Sequence, residues 1–165
     1  MNLGFIGCGN MASAIINGII SGNAISAEEI YVYDVFYPAI EKLTSKHNVN
    51  ICENEKDIVN KCDTIILAVK PNIISNVLNS INSTLEEKDT LLISIAAGKT
   101  IDFIRNGLSH DNKIVRVMPN INAKVNEAIS AYCCSENVTK QDKELCEAIF
   151  GSIGKVMYLD EAFFP

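Results

Sequence analysis

Residues Gly7-Cys8-Gly9-Asn10-Met11-Ala12 form a G-x-G-x-x-A stretch between a short apolar run, Leu3-Gly4-Phe5-Ile6, and a longer one. Two glycines one residue apart contribute nothing to a core. The first permits a tight turn, and the second lets a ligand approach bare main chain. Ala12 is small enough for a helix to pack closely on the strand before it. A helix opening here turns unpaired N–H groups and the positive end of its dipole toward the turn, which suits a diphosphate. Asp34 ends the run Ile30-Tyr31-Val32-Tyr33 about 20 residues further on, where such a turn is usually matched by an acid that accepts hydrogen bonds from a ribose. The chemistry is that of a dinucleotide site. A tight strand–helix turn beside a solvated acid is the alternative without a ligand.

The carboxylate of Asp34 suits both ribose hydroxyls of NAD(H) and repels the 2′-phosphate of NADP(H). Val35-Phe36-Tyr37 bring no arginine for that phosphate, so NADH is mildly favoured over NADPH. Lys42 and Lys46 are cations that a moved loop would bring within reach of it. Three further segments close apolar runs: Ala68-Val69-Lys70-Pro71-Asn72, Ser94-Ile95-Ala96-Ala97-Gly98 and Arg116-Val117-Met118-Pro119-Asn120. Pro71 holds Lys70 extended as it leaves its strand. Ala96, Ala97 and Gly98 are small enough for a ligand to lie against them. Singly, Lys70 reads equally well as a surface charge, and Gly98 and Asn120 as turn residues. Together on one rim they read as a site.

The elements that must position these residues follow from periodicity. Ala12, Ile15, Ile16, Ile19 and Ile20 share one helical face, and Gly22-Asn23 supply a stop. Strands are expected at 3–7, 30–34, 63–69, 90–96 and 113–118, with a weak one at 48–52 and two more at 128–135 and 155–159. Between them lie helical patterns: Pro38 is placed to open one, and Thr139 to cap another in which Leu145, Ile149 and Ile153 share a face. Strands alternating with helices predict an α/β fold, a Rossmann-type doubly wound and mainly parallel sheet with helices on both faces. Ligands would then lie beyond the carboxyl ends of the strands.

Composition sets the exclusions. The chain has 165 residues, one domain's worth, and a formal net charge of −6 with no block of Lys or Arg, which argues against nucleic acid. No apolar run is long enough for a membrane span, and no leader pattern opens the chain. Six cysteines include no C-x-x-C pair and meet only His47 and His110, so no metal site is expected. They read as reduced, mostly buried thiols of a cytoplasmic protein. Cys133 and Cys134, adjacent in a strand, would point to opposite faces.

The segments GFIGCGNMASAI, AVKP, SIAAG and RVMPN, in this order and spacing, resemble pyrroline-5-carboxylate reductase from Asn2 to about Glu161. The resemblance implies hydride transfer from NAD(P)H to the imine of 1-pyrroline-5-carboxylate, giving L-proline, the last step of proline biosynthesis. It implies that Gly7, Gly9, Asn10, Met11 and Ala12 hold the diphosphate, and that Val69, Lys70, Pro71, Ala96, Ala97 and Gly98 wall the cofactor cleft. Met118, Pro119 and Asn120 would lie near nicotinamide and substrate. Members pair such a domain with a helical one that makes homo-oligomers. Residues 1–160 are thus expected to be the NAD(P)-binding domain and 161–165 the start of the helical dimerisation domain, otherwise absent from this chain. As a fragment it would be a monomer or weak dimer with an apolar patch at Phe163-Phe164, inactive or weakly active alone, and no residue is named as catalytic. Family members usually continue MPN with Thr-Pro, where Ile121-Asn122 stand here, and carry a glycine near Asn126. A non-catalytic dinucleotide-binding regulatory module, or a related imine or β-hydroxyacid dehydrogenase, is the other reading.

Overall fold

The computed structural model describes residues 1–86, 88–119 and 128–165. Strand β1 (Leu3–Ile6) leads through the glycine turn into helix α1 (Asn10–Ser21). The unit repeats as β2 (Ile30–Tyr33), α2 (Tyr37–Thr44), β3 (Asn50–Ile51), α3 (Glu55–Lys61) and β4 (Thr64–Leu67). It continues with α4 (Ile74–Leu85), β5 (Leu91–Ser94), α5 (Ile101–Asn106) and β6 (Lys113–Met118). Strand β7 (Ala128–Cys134), α6 (Lys140–Gly151), β8 (Gly154–Tyr158) and a 3-10 turn at Glu161–Phe163 follow.

Local chemistry accounts for the boundaries. In α1, Ala12, Ile15, Ile16 and Ile19 are buried, as their spacing predicts. No side chain caps its start, an omission that costs about 1 kcal/mol. Burial of three isoleucines at on the order of 2 kcal/mol each outweighs that. The stop at Gly22-Asn23 is real: Asn23 takes φ 56°, its N–H donates to the Ile20 carbonyl, and the Ala24 N–H donates to that of Ile19. Thr139 caps α6 in a reciprocal pair with Asp142. Pro38 is the second residue of α2 rather than its first, because the helix starts at Tyr37.

Among the described residues, eight strands form one sheet in the order β3-β2-β1-β4-β5-β6-β7-β8. Strands β1 to β6 are parallel throughout. Alternate strand residues feed two cores. Leu3, Phe5, Val32, Ile66 and Ile93 pack with α1, α2 and α6 on one face. Ile6, Ile65, Leu67, Leu92 and Ile114 pack with α3, α4 and α5 on the other. This is the expected doubly wound sandwich. Strand order reverses between β1 and β4, which places a crevice beyond their carboxyl ends. Strand β7 runs antiparallel to β6, with Met118 opposite Ala131 and Val115 opposite Cys134. Ala128, Ile129 and Ser130 pair with β8 beyond that register. No helix among the described residues is long and apolar enough to cross a membrane.

Cys133 enters one core and Cys134 touches the other, so the adjacent pair does point to opposite faces. All six cysteines are free, and five are buried. Burial pushes the thiols of Cys8, Cys52, Cys62 and Cys133 up to about 12 and that of Cys134 up to about 11. Burial raises Cys146 as well. Because the thiolate is the nucleophile, these groups are inert near neutral pH. A thiol-reactive disulfide reagent should therefore titrate six groups in denaturant but at most one, Cys134, in the native chain at about pH 8. Rapid reaction of three or more native thiols would contradict the packing described.

Candidate functional site

Gly7 turns the chain at the end of β1. Its φ is +105°, a region closed to residues with a Cβ. A Cβ there would lie 2.6 Å from the Ala68 carbonyl carbon, inside contact distance. The N–H of Gly7 donates to the Tyr33 carbonyl at 2.8 Å, tying the turn to β2. At Gly9 the reason for glycine is different. A Cβ there would meet no protein atom within 4 Å, so packing does not demand the glycine. The space is open to a ligand, and the uncapped N-terminus of α1 faces the same side.

Asp34 braces this turn. One carboxylate oxygen accepts the Cys8 N–H at 2.8 Å and the other accepts the Phe36 N–H at 2.8 Å. The acid expected to meet a ribose thus also clamps the glycine turn to the β2–α2 connection. Each oxygen keeps a second lone pair for a hydroxyl donor. The Asp34 charge adds to burial in raising the Cys8 thiol.

Two cavities open on the rim, and Asp34 lines one of them. The smaller, about 250 Å³, is lined by Gly7, Asp34 and Val69, with Tyr33, Val35, Ile73, Asn76 and Val77. The larger, about 400 Å³, brings together Gly9, Asn10, Met11, Val69, Lys70, Ala96, Ala97, Gly98, Met118 and Pro119. Val69 is the partition between them. The four segments singled out in the sequence therefore all meet at the larger cavity, with the smaller one adjoining it at Val69. Ala12 lies in the core behind it, 1 % exposed, where its small side chain lets α1 sit close to the sheet. Pro71 opens a 3-10 turn and lines neither cavity, and Lys70 is extended before it (φ −60°, ψ 148°). Asn120, Ile121-Asn122 and Asn126 lie outside the described residues. Lys42 and Lys46 line a separate groove of about 340 Å³ between α1 and α2, with Asn10, Ser13 and His47. Among the described residues no cluster of His, Cys, Asp and Glu is placed to hold a metal.

The sequence reading missed other lining residues. The α4 face contributes Asn76, Val77 and Ser80 to the smaller cavity, and its apolar spacing showed only that one face was buried. Arg116 and Pro165 line the larger cavity. A lone arginine in the apolar run Ile114-Val115-Arg116-Val117 was the available signal. Phe163 is exposed, as the expected patch requires, but Phe164 stacks over the Arg116 guanidinium at 4.7 Å.

A doubly wound sheet with a glycine turn and an uncapped helix at its switch point defines a Rossmann-type nucleotide-binding fold. Residues 2–98 match the sequence model of the family described as NADP oxidoreductase coenzyme F420-dependent, and the chain belongs to that family. It is 37 % identical over 159 residues to the pyrroline-5-carboxylate reductase of Escherichia coli strain K12, covering 96 % of this chain and 59 % of the relative. It is 35 % identical to that of Methanosarcina acetivorans, covering 97 % and 59 %. Among solved structures, a pyrroline-5-carboxylate reductase from Coxiella burnetii superposes with a TM-score of 0.92 at 31 % identity, covering 96 % of this chain and 58 % of that one. The Plasmodium falciparum pyrroline carboxylate reductase with NADP bound gives 0.85 at 35 % identity, covering 98 % and 58 %. The chain thus spans about 59 % of the length of the curated relatives it matches.

Proposed function

We propose that this chain is the dinucleotide-binding part of a pyrroline-5-carboxylate reductase. The observation that carries the reading is the two-part crevice in which the glycine turn, Val69-Lys70, Ala96-Ala97-Gly98 and Met118-Pro119 converge. Its relatives over nearly the whole chain are named for that activity.

The residues present fit the cofactor. The open space above Gly9 accepts a diphosphate that a side chain there would exclude. The smaller cavity, with Asp34 at its edge and Val35, Ile73 and Val77 in its wall, takes the adenosine end. The larger, small-walled cavity takes the nicotinamide end. NAD(P)H, when bound, supplies the hydride for the imine carbon of the substrate. The chain's own part is to orient and to exclude water: Ala96, Ala97 and Gly98 let the ring lie against main chain, and Met118 and Pro119 close the far wall. A C=N bond protonated in solution is already electrophilic, so this half needs no strong acid.

Asp34 favours NADH within this reading, although the relative from Plasmodium falciparum holds NADP. Lys42 and Lys46 line their own groove and not the adenosine cavity. The groups that hold the substrate carboxylate belong to the part of the relatives this chain does not span, as does homo-oligomer formation. We assign residues 1–160 to the binding domain and the protein to the cytoplasm, whose reducing conditions suit six free thiols. The test is direct. NADH and NADPH should each bind saturably by isothermal titration, and this chain alone should turn over pyrroline-5-carboxylate at a small fraction of the rate of a relative such as the Escherichia coli enzyme. Absence of binding by both cofactors would overturn the reading.

A further inference from the structure

Arg116 sits in the middle of β6, between Ser94 of β5 and Cys133 of β7. It is 5 % exposed, and a buried guanidinium needs partners. It donates to Glu161 Oε2 at 3.2 Å and to the Pro165 carbonyl at 3.5 Å. The Phe164 ring covers it at 4.7 Å. The same oxygen, Glu161 Oε2, accepts the Ile101 N–H at 2.9 Å, and Ile101 is the first residue of α5.

One carboxylate oxygen therefore holds both walls of the larger cavity. Ala96-Ala97-Gly98 lead into α5, whose first N–H is bound there. Met118 and Pro119 leave the strand whose Arg116, two residues earlier on the same face, is bound there too. Neither Arg116 nor Glu161 is needed to touch a ligand for this to matter. We propose that Arg116 and Glu161 are positioning residues: their ion pair sets the separation of the two walls between which the nicotinamide end lies. The inference rests on the cofactor assignment above.

Isothermal titration of the same chain with NADH, NADPH and ADP separates a wall effect from a general loss of structure. ADP fills only the adenosine and diphosphate positions. In Glu161→Gln, both dinucleotides should bind five- to tenfold more weakly, while ADP stays within twofold of wild type. Phe164→Ala removes the covering ring and exposes the ion pair to water, which weakens its hold, and should give the same selective loss at two- to threefold. It serves if Glu161→Gln does not fold. Equal weakening of ADP and dinucleotides in the folded variants, or no weakening of either, would overturn the positioning role and leave the cofactor assignment standing. Failure of the wild type to bind any of the three would overturn the cofactor assignment and this inference with it.

Discussion

Gly7→Ala should lose about 3 kcal/mol of stability, because an unfavourable backbone region and a collision with main chain act together. The new methyl meets the carbonyl of Ala68, the residue after β4, whose own N–H is held to the Ile6 carbonyl at 2.8 Å. For a domain of this size, the thermal midpoint should fall by about 8 °C. Any relief must come from moving the turn off the Tyr33 carbonyl, and dinucleotide affinity should then drop at least about 30-fold, or roughly 2 kcal/mol. Gly9→Ala is the informative partner. Gly9 has φ −75° and nothing within 4 Å of the added carbon, so its stability should stay within about 0.5 kcal/mol of wild type. Its dinucleotide affinity should nevertheless fall about tenfold, or roughly 1.4 kcal/mol. A Gly9→Ala variant that binds as tightly as wild type would mean that the diphosphate does not lie where the open space suggests.

Asp34→Ser should change the choice of cofactor as well as its affinity. The carboxylate accepts two main-chain N–H groups, and hydrogen bonds to a charged group contribute about 1.5–3 kcal/mol. Both cofactors lose the braced turn. NADH additionally loses a ribose acceptor, whereas NADPH is relieved of a negative charge beside its 2′-phosphate. Dissociation constants measured for both should show NADH weakened by at least about tenfold and NADPH by less than about threefold, differing by roughly 0.7 kcal/mol or more. Any preference for NADH would narrow or reverse. Equal weakening of both would confine Asp34 to its structural role as a brace.

Much of this crevice was legible before any coordinates. Its four segments end strands, and strand ends in an alternating pattern have only one rim to share. Helix α1 was readable from five apolar residues on one face, and the capped start of α6 from Thr139. Other features leave no mark in a linear pattern. The reversal of β7 is silent because alternation of Ile129, Ala131 and Cys133 is the same whichever way the strand runs. The two-residue β3 is too short to carry a period. The pairing of Arg116 with Glu161 joins positions 45 residues apart, and no local spacing encodes it. Asp34 was assigned to a ribose from its place in the motif, but its hold on Cys8 and Phe36 depends on where two loops meet in space.

The direction of β7 also shapes what can reach the crevice. Because that strand enters from above, Ala128, Ile129 and Ser130 rise with Gly154, Lys155 and Val156 past the level at which β6 ends. The sheet is therefore not trimmed flush. It carries a two-stranded parapet, about 10 Å tall at some 3.3 Å per residue, along the β6 flank of the larger cavity, so a molecule that fills this cavity has a wall on that side taller than the strand end it rests on.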